Sequence, residues 1–332
     1  MKRIVILGAG TAGTMMANKL RNTLDKEEWG ITIVDQFKTH YYQPGFLFIP
    51  FGIYNKEDVI KPKADFIPAG VNMIYSAIDR VEGEANKVHL EGGKILNYDF
   101  LIVATGTKTF PEETPGLKDK LWYKEIFDFY TVEGAVALQK FFKGWEGGKL
   151  VMAITELPYK CPVAPLEFVF LADAYFTEIG IRDKVDISYV TPMPGAFTKP
   201  VATKMLSELL AEKNITVIPD FYIERVDNDE KKLVSYDEQE VPFDVLTVVP
   251  MNMGDEMVER SGLGDDMNFV LTDKETMQSK QFENIFILGD AANIPTSKAG
   301  SVAHFAAEIL FENLMSAMEG RPLHAKFDGH AN

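Results

Sequence analysis

The chain has 332 residues, 46% hydrophobic and 25% charged, which is typical of a globular protein and excludes a disordered or fibrous one. Its 34 Lys and Arg against 49 Asp and Glu give a net charge of −15, which argues against nucleic acid as a partner because phosphate binding needs clustered cations. The single cysteine, Cys161, excludes a disulfide within this sequence and a cysteine-rich metal site, and no metal is expected.

The first predicted elements are a strand, a turn and a helix. An apolar strand over residues 4–7 runs into Gly8-Ala9-Gly10-Thr11-Ala12-Gly13, and helical spacing follows over residues 14–24. Glycines at these positions allow a pyrophosphate to approach the helix N-terminus, so Gly8, Gly10 and Gly13 are predicted to bind a dinucleotide. Asp35 ends the next strand, where a carboxylate binds an adenosine ribose. The motif alone does not separate flavin from nicotinamide.

The remaining chain alternates strands and helices. After an irregular stretch over residues 37–54 and an antiparallel meander over 71–96, strands are predicted at 98–106, 149–154, 186–190, 215–218, 244–250 and 284–290, and helices at 131–142, 166–176, 204–212 and 301–318. This order predicts an α/β protein with mostly parallel sheets and two Rossmann-like dinucleotide-binding domains. The FAD-binding domain is predicted over residues 1–112 and 256–332, with the second domain, 113–255, nested inside it.

The second domain differs from the first at its own strand-to-helix turn. A nicotinamide site needs a second glycine fingerprint after residues 149–154, but bulky residues and prolines follow instead, including Cys161. A lone cysteine is usually an inert core residue. Here Lys160 and the following helix N-terminus would stabilise a thiolate, which favours a redox role.

Three segments carry a resemblance to known flavoproteins. The Ala-Thr-Gly stretch ending in Thr105 and Gly106, and the strand ending in Gly289 and Asp290, resemble the FAD motifs of flavoproteins with two dinucleotide domains. Residues 159–167 are similar to the redox-cysteine segment of sulfide:quinone oxidoreductases, and Tyr42-Gln43-Pro44-Gly45 is similar to their flavin-side loop. The resemblance extends over essentially the whole chain.

The resemblance implies an FAD enzyme that oxidises sulfide at a cysteine and reduces quinone. It implies that Lys298 faces the pyrimidine edge of the flavin, although a solvated surface lysine is the alternative. Glu167 would relay protons near Cys161 or only complement the helix dipole. The FAD ligands implied or predicted are Gly8, Gly10, Gly13, Asp35, Gln43, Pro44, Thr105, Gly106, Gly289, Asp290 and Lys298. The FAD is expected to be non-covalent.

Other aromatic and histidine residues have two interpretations. Tyr41, Tyr42, Phe46, Phe48 and Phe51 could line a quinone pocket or pack in the core. His304 is the histidine expected nearest to the flavin, with a structural role favoured.

One departure from the family concerns its second redox cysteine, which lies late in the chain of typical members and has no counterpart here. We therefore expect a truncation just beyond Asn332, with the second cysteine and the membrane-docking C-terminal elements absent. The expected location is the cytoplasmic side of a membrane as a peripheral protein, soluble in this form, and a homo-oligomer is possible. The alternatives are a type II NADH:quinone oxidoreductase, a flavocytochrome-type sulfide dehydrogenase subunit, and a non-catalytic flavin-binding sensor.

Overall fold

A computed structural model describes residues 1–330. The chain divides into two compact units. Unit 1 consists of Met1–Tyr41, Lys61–Lys108 and the chain from Met253 onwards, and unit 2 consists of Tyr42–Ile60 and Thr109–Asn252.

The segment Tyr42–Ile60 belongs to unit 2, whereas the sequence interpretation places it in the FAD-binding domain. Two contacts account for its position. The side chain of Gln139 donates a hydrogen bond to the carbonyl of Ile49 (2.6 Å), and the ring of Phe51 packs against that of Phe168 with centroids 5.2 Å apart.

Unit 1 is built on a sheet of five parallel strands. Their order across the sheet is Ile285–Ile287, Phe100–Val103, Lys2–Leu7, Trp29–Asp35 and Val71–Tyr75. The central strand is apolar from Ile4 to Leu7 and buried on both faces, the pattern of a parallel strand covered by helices.

Unit 2 is built on a second sheet of five parallel strands. Their order is Ile126–Asp128, Val245–Val249, Gly148–Ile154, Val185–Val190 and Ile215–Ile218. In each sheet the central strand, Lys2–Leu7 or Gly148–Ile154, pairs on one side with the next strand of its βαβ unit. On the other side it pairs with a strand from later in the chain. The two sheets therefore share a plan, and the prediction of two Rossmann-like domains is confirmed.

Six α-helices accompany the sheets within the described chain, and the predicted helices all lie within or close to them. They are α1 (Thr11–Thr23), α2 (Val132–Phe142), α3 (Ala164–Glu178), α4 (Pro200–Glu212), α5 (Met257–Arg260) and α6 (Gly300–Met318). In unit 1, α1 and α6 contact each other. None of the helices in residues 1–330 combines the length and apolar character needed to cross a bilayer.

Two antiparallel sheets of three strands complete the units. Unit 1 has Ile78–Glu82, Lys87–Leu90 and Ile95–Asn97, and unit 2 has Ile223–Asp227, Lys232–Ser235 and Glu240–Pro242. Shorter strands are Thr39–Tyr41, Ile60–Pro62, Thr107–Thr109, Asn252–Gly254, Val270–Leu271 and Ala292–Asn293.

The predicted meander over residues 71–96 was wrong in its first strand. Val71–Tyr75 pairs in parallel with Trp29–Asp35 and extends the central sheet of unit 1. Only the later strands form the antiparallel meander. Short alternating strands look alike in sequence whether their partners are parallel or antiparallel, because the side-chain period is the same.

Candidate active site

The glycine turn of unit 1 has the geometry of a dinucleotide cradle. Gly8 has φ +94°, and a Cβ there would lie 2.3 Å from the carbonyl oxygen of Ala104. A Cβ on Gly13 would lie 1.9 Å from the carbonyl oxygen of Gly8. These two glycines are thus required by the fold itself, because any side chain would collide with backbone.

The fold does not require a glycine at position 10, but a bound dinucleotide would. Gly10 is the N-cap of α1, and no described atom lies within 4 Å of the position its Cβ would take. No side chain in residues 1–330 caps this helix, and its first turn contains no acidic residue. The backbone N–H groups of the first turn, together with the helix dipole, can therefore bind an anionic pyrophosphate in that space.

Asp35 anchors the glycine turn from the end of its strand. One carboxylate oxygen accepts a hydrogen bond from the N–H of Ala9 (2.8 Å) and pairs with the ammonium of Lys63 (2.6 Å). The other oxygen accepts the N–H of Phe37 (2.9 Å) and, with a second lone pair, can also accept a ribose hydroxyl.

Lys63 and His40 are site residues that the sequence analysis missed. Lys63 is 4% exposed, and its charge adds to burial in lowering the pKa of His40. His40 lines, with Thr11 and His304, a cavity of about 460 Å³ beside α1. A lysine in a loop normally indicates a solvated side chain, so no signal in the sequence identifies Lys63.

The second and third FAD segments lie in the same unit. Thr105 and Thr107 each bury a hydroxyl that has no hydrogen-bond partner among residues 1–330, next to Gly106 with φ +68°. A Cβ on Gly289 would lie 3.2 Å from the Cβ of Ala12, which places the Gly289-Asp290 turn against the glycine turn. The orphaned hydroxyls and the open space at Gly10 fit a bound dinucleotide.

Lys298 is buried in unit 1 just before α6. It is 6% exposed, its ammonium donates to the carbonyl of Ala292 (2.5 Å), and it lies 4.2 Å from the ring centroid of Phe269. Burial lowers the pKa of Lys298 to about 8, while the carboxylates of Asp290 and Asp265 act in the opposite direction. The alternative of a solvated surface lysine is therefore wrong.

The cysteine turn of unit 2 occupies the corresponding place between Gly148–Ile154 and α3. Cys161 is half-buried and has φ +54°, in the left-handed region, a conformation that costs a non-glycine residue about 1 to 3 kcal/mol. The hydroxyl of Tyr159 donates to the carbonyl of Pro162 (3.2 Å), and the ammonium of Lys160 donates to the side-chain oxygen of Gln43 (3.0 Å).

Gln43 and Pro44 thus lie in the unit that carries the cysteine. They open the 3-10 helix Gln43–Phe48, and the bond from Lys160 ties this helix to the cysteine turn. Glu167, in the first turn of α3, is exposed as a whole residue, but partial burial of its carboxyl raises its pKa. Cys161, Glu167, Gln43 and Pro44 therefore all belong to unit 2.

The aromatic residues proposed for a quinone pocket differ in their exposure to solvent. Phe46 and Phe51 are 4% and 7% exposed, and Phe51 packs among Phe142, Phe168 and Tyr175. Tyr42 is 55% exposed. Core packing therefore accounts for Phe51, and only the exposed part of this segment remains available to a ligand.

Comparison with known proteins agrees with this arrangement. The pyridine nucleotide-disulphide oxidoreductase family matches residues 2–140. The mitochondrial sulfide:quinone oxidoreductase of Dictyostelium discoideum is 30% identical over 335 residues, covering 99% of this chain and 74% of the relative. The chain belongs to the sulfide:quinone oxidoreductase family. Like other members of that family, the protein is a flavoprotein oxidoreductase, and its cofactor is FAD.

A solved structure supports the fold of this sulfide:quinone oxidoreductase family member. The X-ray structure of the Aquifex aeolicus sulfide:quinone oxidoreductase superposes with a TM-score of 0.84 at 22% identity, covering 97% of this chain and 78% of that one. By contrast, a type II NADH:quinone oxidoreductase of Staphylococcus aureus, 33% identical, matches only 36% of this chain and 29% of its own length.

Proposed function

We propose that this protein oxidises sulfide and transfers the two electrons to a quinone through its FAD. The observation that carries the proposal is the cysteine turn, where Cys161 stands in place of the glycines that a nicotinamide dinucleotide requires. In the overall reaction, H₂S and quinone give sulfur at the zero-valent level and quinol. The two electrons and two protons lost by the sulfide are those gained by the quinone.

The FAD ligands are proposed from the motifs that the sequence carries. Gly10 and the N-terminus of α1 receive the pyrophosphate, and Asp35 receives the adenosine ribose. The remaining proposed ligands are Gly8, Gly13, Gln43, Pro44, Thr105, Gly106, Gly289, Asp290 and Lys298. When bound, the flavin accepts two electrons from a sulfur donor and returns them to a quinone.

Cys161 is proposed as the residue that takes up the sulfur. Its thiolate and HS⁻ would form a persulfide anion and release one proton, with the two electrons passed to the FAD and the outer sulfur then transferred to an added small thiol. A thiolate is the reactive form, and the N-terminus of α3, which begins three residues later, favours a negative charge there. Glu167, whose carboxyl has a raised pKa, is proposed to exchange the proton released as sulfide is oxidised. Lys298 is proposed to stabilise negative charge at the reduced cofactor through its buried ammonium.

The test is an anaerobic titration of the FAD-loaded protein that follows the flavin absorbance. Sulfide should bleach the flavin and a soluble quinone should restore its colour, with a small thiol such as glutathione present to accept the sulfur. NADH serves as the competing donor, because the partial match to a type II NADH:quinone oxidoreductase favours that second function. Bleaching by NADH and not by sulfide would contradict the proposal.

Two further properties are proposed with this function. The FAD is non-covalent, so acid precipitation should release all of the yellow colour into the supernatant. The protein acts as a peripheral protein at the cytoplasmic surface of a membrane, where lipid-soluble quinones are available. Flotation with liposomes, with and without incorporated quinone, measures this association.

A further inference from the structure

The peptide bond that precedes Cys161 is held from a distant part of unit 2. The hydroxyl of Tyr130 donates a hydrogen bond of 2.7 Å to the carbonyl oxygen of Lys160. On the other side of the cysteine, the N–H of Ala164 donates to the carbonyl of Cys161 (3.1 Å). The peptide groups before and after the Cα of Cys161, the residue with a positive φ, are thus both held by hydrogen bonds.

Tyr130 is itself rigidly placed. Its N–H donates to the carboxylate of Asp128 (2.8 Å), which is 1% exposed. The same carboxylate accepts bonds from the hydroxyl of Tyr123 (2.9 Å) and from the N–H of Thr131 (2.6 Å). The parallel strand Ile126–Asp128 carries this network, so the backbone of Tyr130 follows the sheet and not the cysteine turn.

The hydroxyl of Tyr130 remains a donor throughout the working pH range. Burial raises the pKa of Tyr130 well above its usual value, and electrostatic interactions with Cys161, Tyr159, Tyr189 and Glu167 raise it further. The hydroxyl therefore stays neutral at the peptide that precedes the thiol. A phenol has one hydrogen to donate, and here it is committed to the carbonyl of Lys160.

We propose that Tyr130 is a positioning residue for the redox cysteine: its hydroxyl holds the Lys160–Cys161 peptide and so keeps Cys161 in the left-handed conformation. Without that bond the cysteine relaxes toward the ordinary φ region, and its sulfur moves away from the N-terminus of α3. The inference rests on the proposed function for its catalytic consequence, whereas its effect on the thiol does not depend on that function.

The first experiment measures the thiol alone. Since Cys161 is the only cysteine of the sequence, the rate of alkylation by iodoacetamide reports this single group in the FAD-loaded protein. Tyr130→Phe should move the midpoint of the rate against pH upward by about half a pH unit, because the thiolate loses the helix N-terminus. Tyr98→Phe is the matched control, since Tyr98 belongs to unit 1, is 2% exposed and has a hydroxyl without a hydrogen-bond partner in residues 1–330.

The second experiment measures flavin reduction by sulfide in a rapid-mixing instrument. Tyr130→Phe should lower the limiting rate by about tenfold or more, as misplacement of a reacting group does, with the half-saturating sulfide concentration little changed. Placing p-aminophenylalanine at position 130 restores an N–H donor and should recover most of the rate. Tyr98→Phe should match the unmodified protein.

The outcomes separate the two proposals. A shifted alkylation profile in Tyr130→Phe, with no reduction by sulfide in any form, would overturn the proposed function and leave the positioning role standing. Equal alkylation profiles and equal limiting rates in Tyr130→Phe and Tyr98→Phe would overturn the positioning role. Loss of FAD from Tyr130→Phe would also overturn it, because the tyrosine would then be a general support of the fold.

Discussion

Each unit has a turn that joins its central strand to a helix. The two turns have the same place in their sheets, but one is rich in glycine and the other carries a cysteine. In unit 1, the turn over residues 8–13 contains three glycines, and a Cβ at Gly8 or Gly13 would collide with a carbonyl oxygen. In unit 2, the turn between Gly148–Ile154 and α3 is lined with side chains and places Cys161 at φ +54° without the help of a glycine. Under the proposed function, one backbone plan binds a pyrophosphate in unit 1 and presents a thiol in unit 2.

The two turns are also stabilised differently. The glycine turn is held by its own backbone and by Asp35, which accepts the N–H of Ala9. The cysteine turn depends on side-chain hydroxyls, with Tyr130 bonded to the carbonyl of Lys160 and Tyr159 to that of Pro162. Substitutions in the first turn should therefore act on cofactor binding or folding, and those in the second on chemistry.

The largest effect is expected from Cys161→Ser. The hydroxyl does not bind sulfur or pass electrons as a thiolate does, so reduction of the flavin by sulfide should be abolished. FAD content should be unchanged, because every glycine of the cradle is retained. Rapid mixing with sulfide and the flavin spectrum of the purified variant give the two measurements. Reduction at the original rate would show that Cys161 is only structural.

The glycine turn is tested by comparing two substitutions. Gly10→Ala places a Cβ in open space, so the fold should persist while FAD binds about tenfold more weakly or worse, since the methyl group occupies the pyrophosphate position. Gly13→Ala should reduce folding itself, because its Cβ would lie 1.9 Å from the carbonyl oxygen of Gly8. Flavin fluorescence and thermal unfolding separate the two effects.

Gly144→Ala is the matched control for this pair. It lies outside both turns, and no described atom is within 4 Å of its Cβ position. If Gly10→Ala bound FAD with wild-type affinity, the open space beside Gly10 would not be the pyrophosphate site.

A smaller effect is expected at Lys298, a buried lysine of unit 1. Lys298→Met should make the two-electron potential of the flavin more negative by about 30 mV, corresponding to about 1.4 kcal/mol. Because the pKa of Lys298 is lowered to about 8, its proton is present below that pH and lost above it. The difference from wild type should therefore be larger at pH 7 than at pH 9.

Spectroelectrochemical titration at both pH values measures this difference. Lys326→Met is the control, since Lys326 is an exposed lysine of the same unit that pairs with Glu275 (3.0 Å). An equal shift in the two variants would mean that the buried ammonium has no special relation to the flavin.

The smallest effect is expected from Glu167→Gln. Its raised pKa means that the carboxyl loses its proton at a higher pH than usual, so the acid limb of the rate against pH should lose one inflection. Because Glu167 is exposed and water can exchange the proton in its place, the rate should fall by only about two- to fivefold, well below the full contribution of a general acid or base. Glu178→Gln, at the other end of α3, is the control. Identical pH profiles for the two variants would mean that Glu167 only complements the helix dipole and exchanges no proton.

Much of the fold was predictable because its signals are local. The glycines of the first turn, the apolar strand from Ile4 to Leu7 and the strand before Gly289 each have a pattern that the neighbouring residues determine. The parallel pairing of Val71–Tyr75 was not predictable, since a strand carries no mark of its partner's direction. The grouping of Tyr42–Ile60 with unit 2 likewise depends on Phe51 and its distant aromatic neighbours.

The sequence by itself determined the two-domain α/β plan, the dinucleotide turn and the candidate thiol, because backbone requirements restrict residue type at those positions. Only the tertiary structure decided how the thiol and the cofactor turn are held. The pairing of Lys63 with Asp35 and the bond from Tyr130 to Lys160 join residues far apart in sequence. Their physical basis is burial: a lysine or tyrosine gains a specific partner only where the fold excludes the water that would otherwise solvate it.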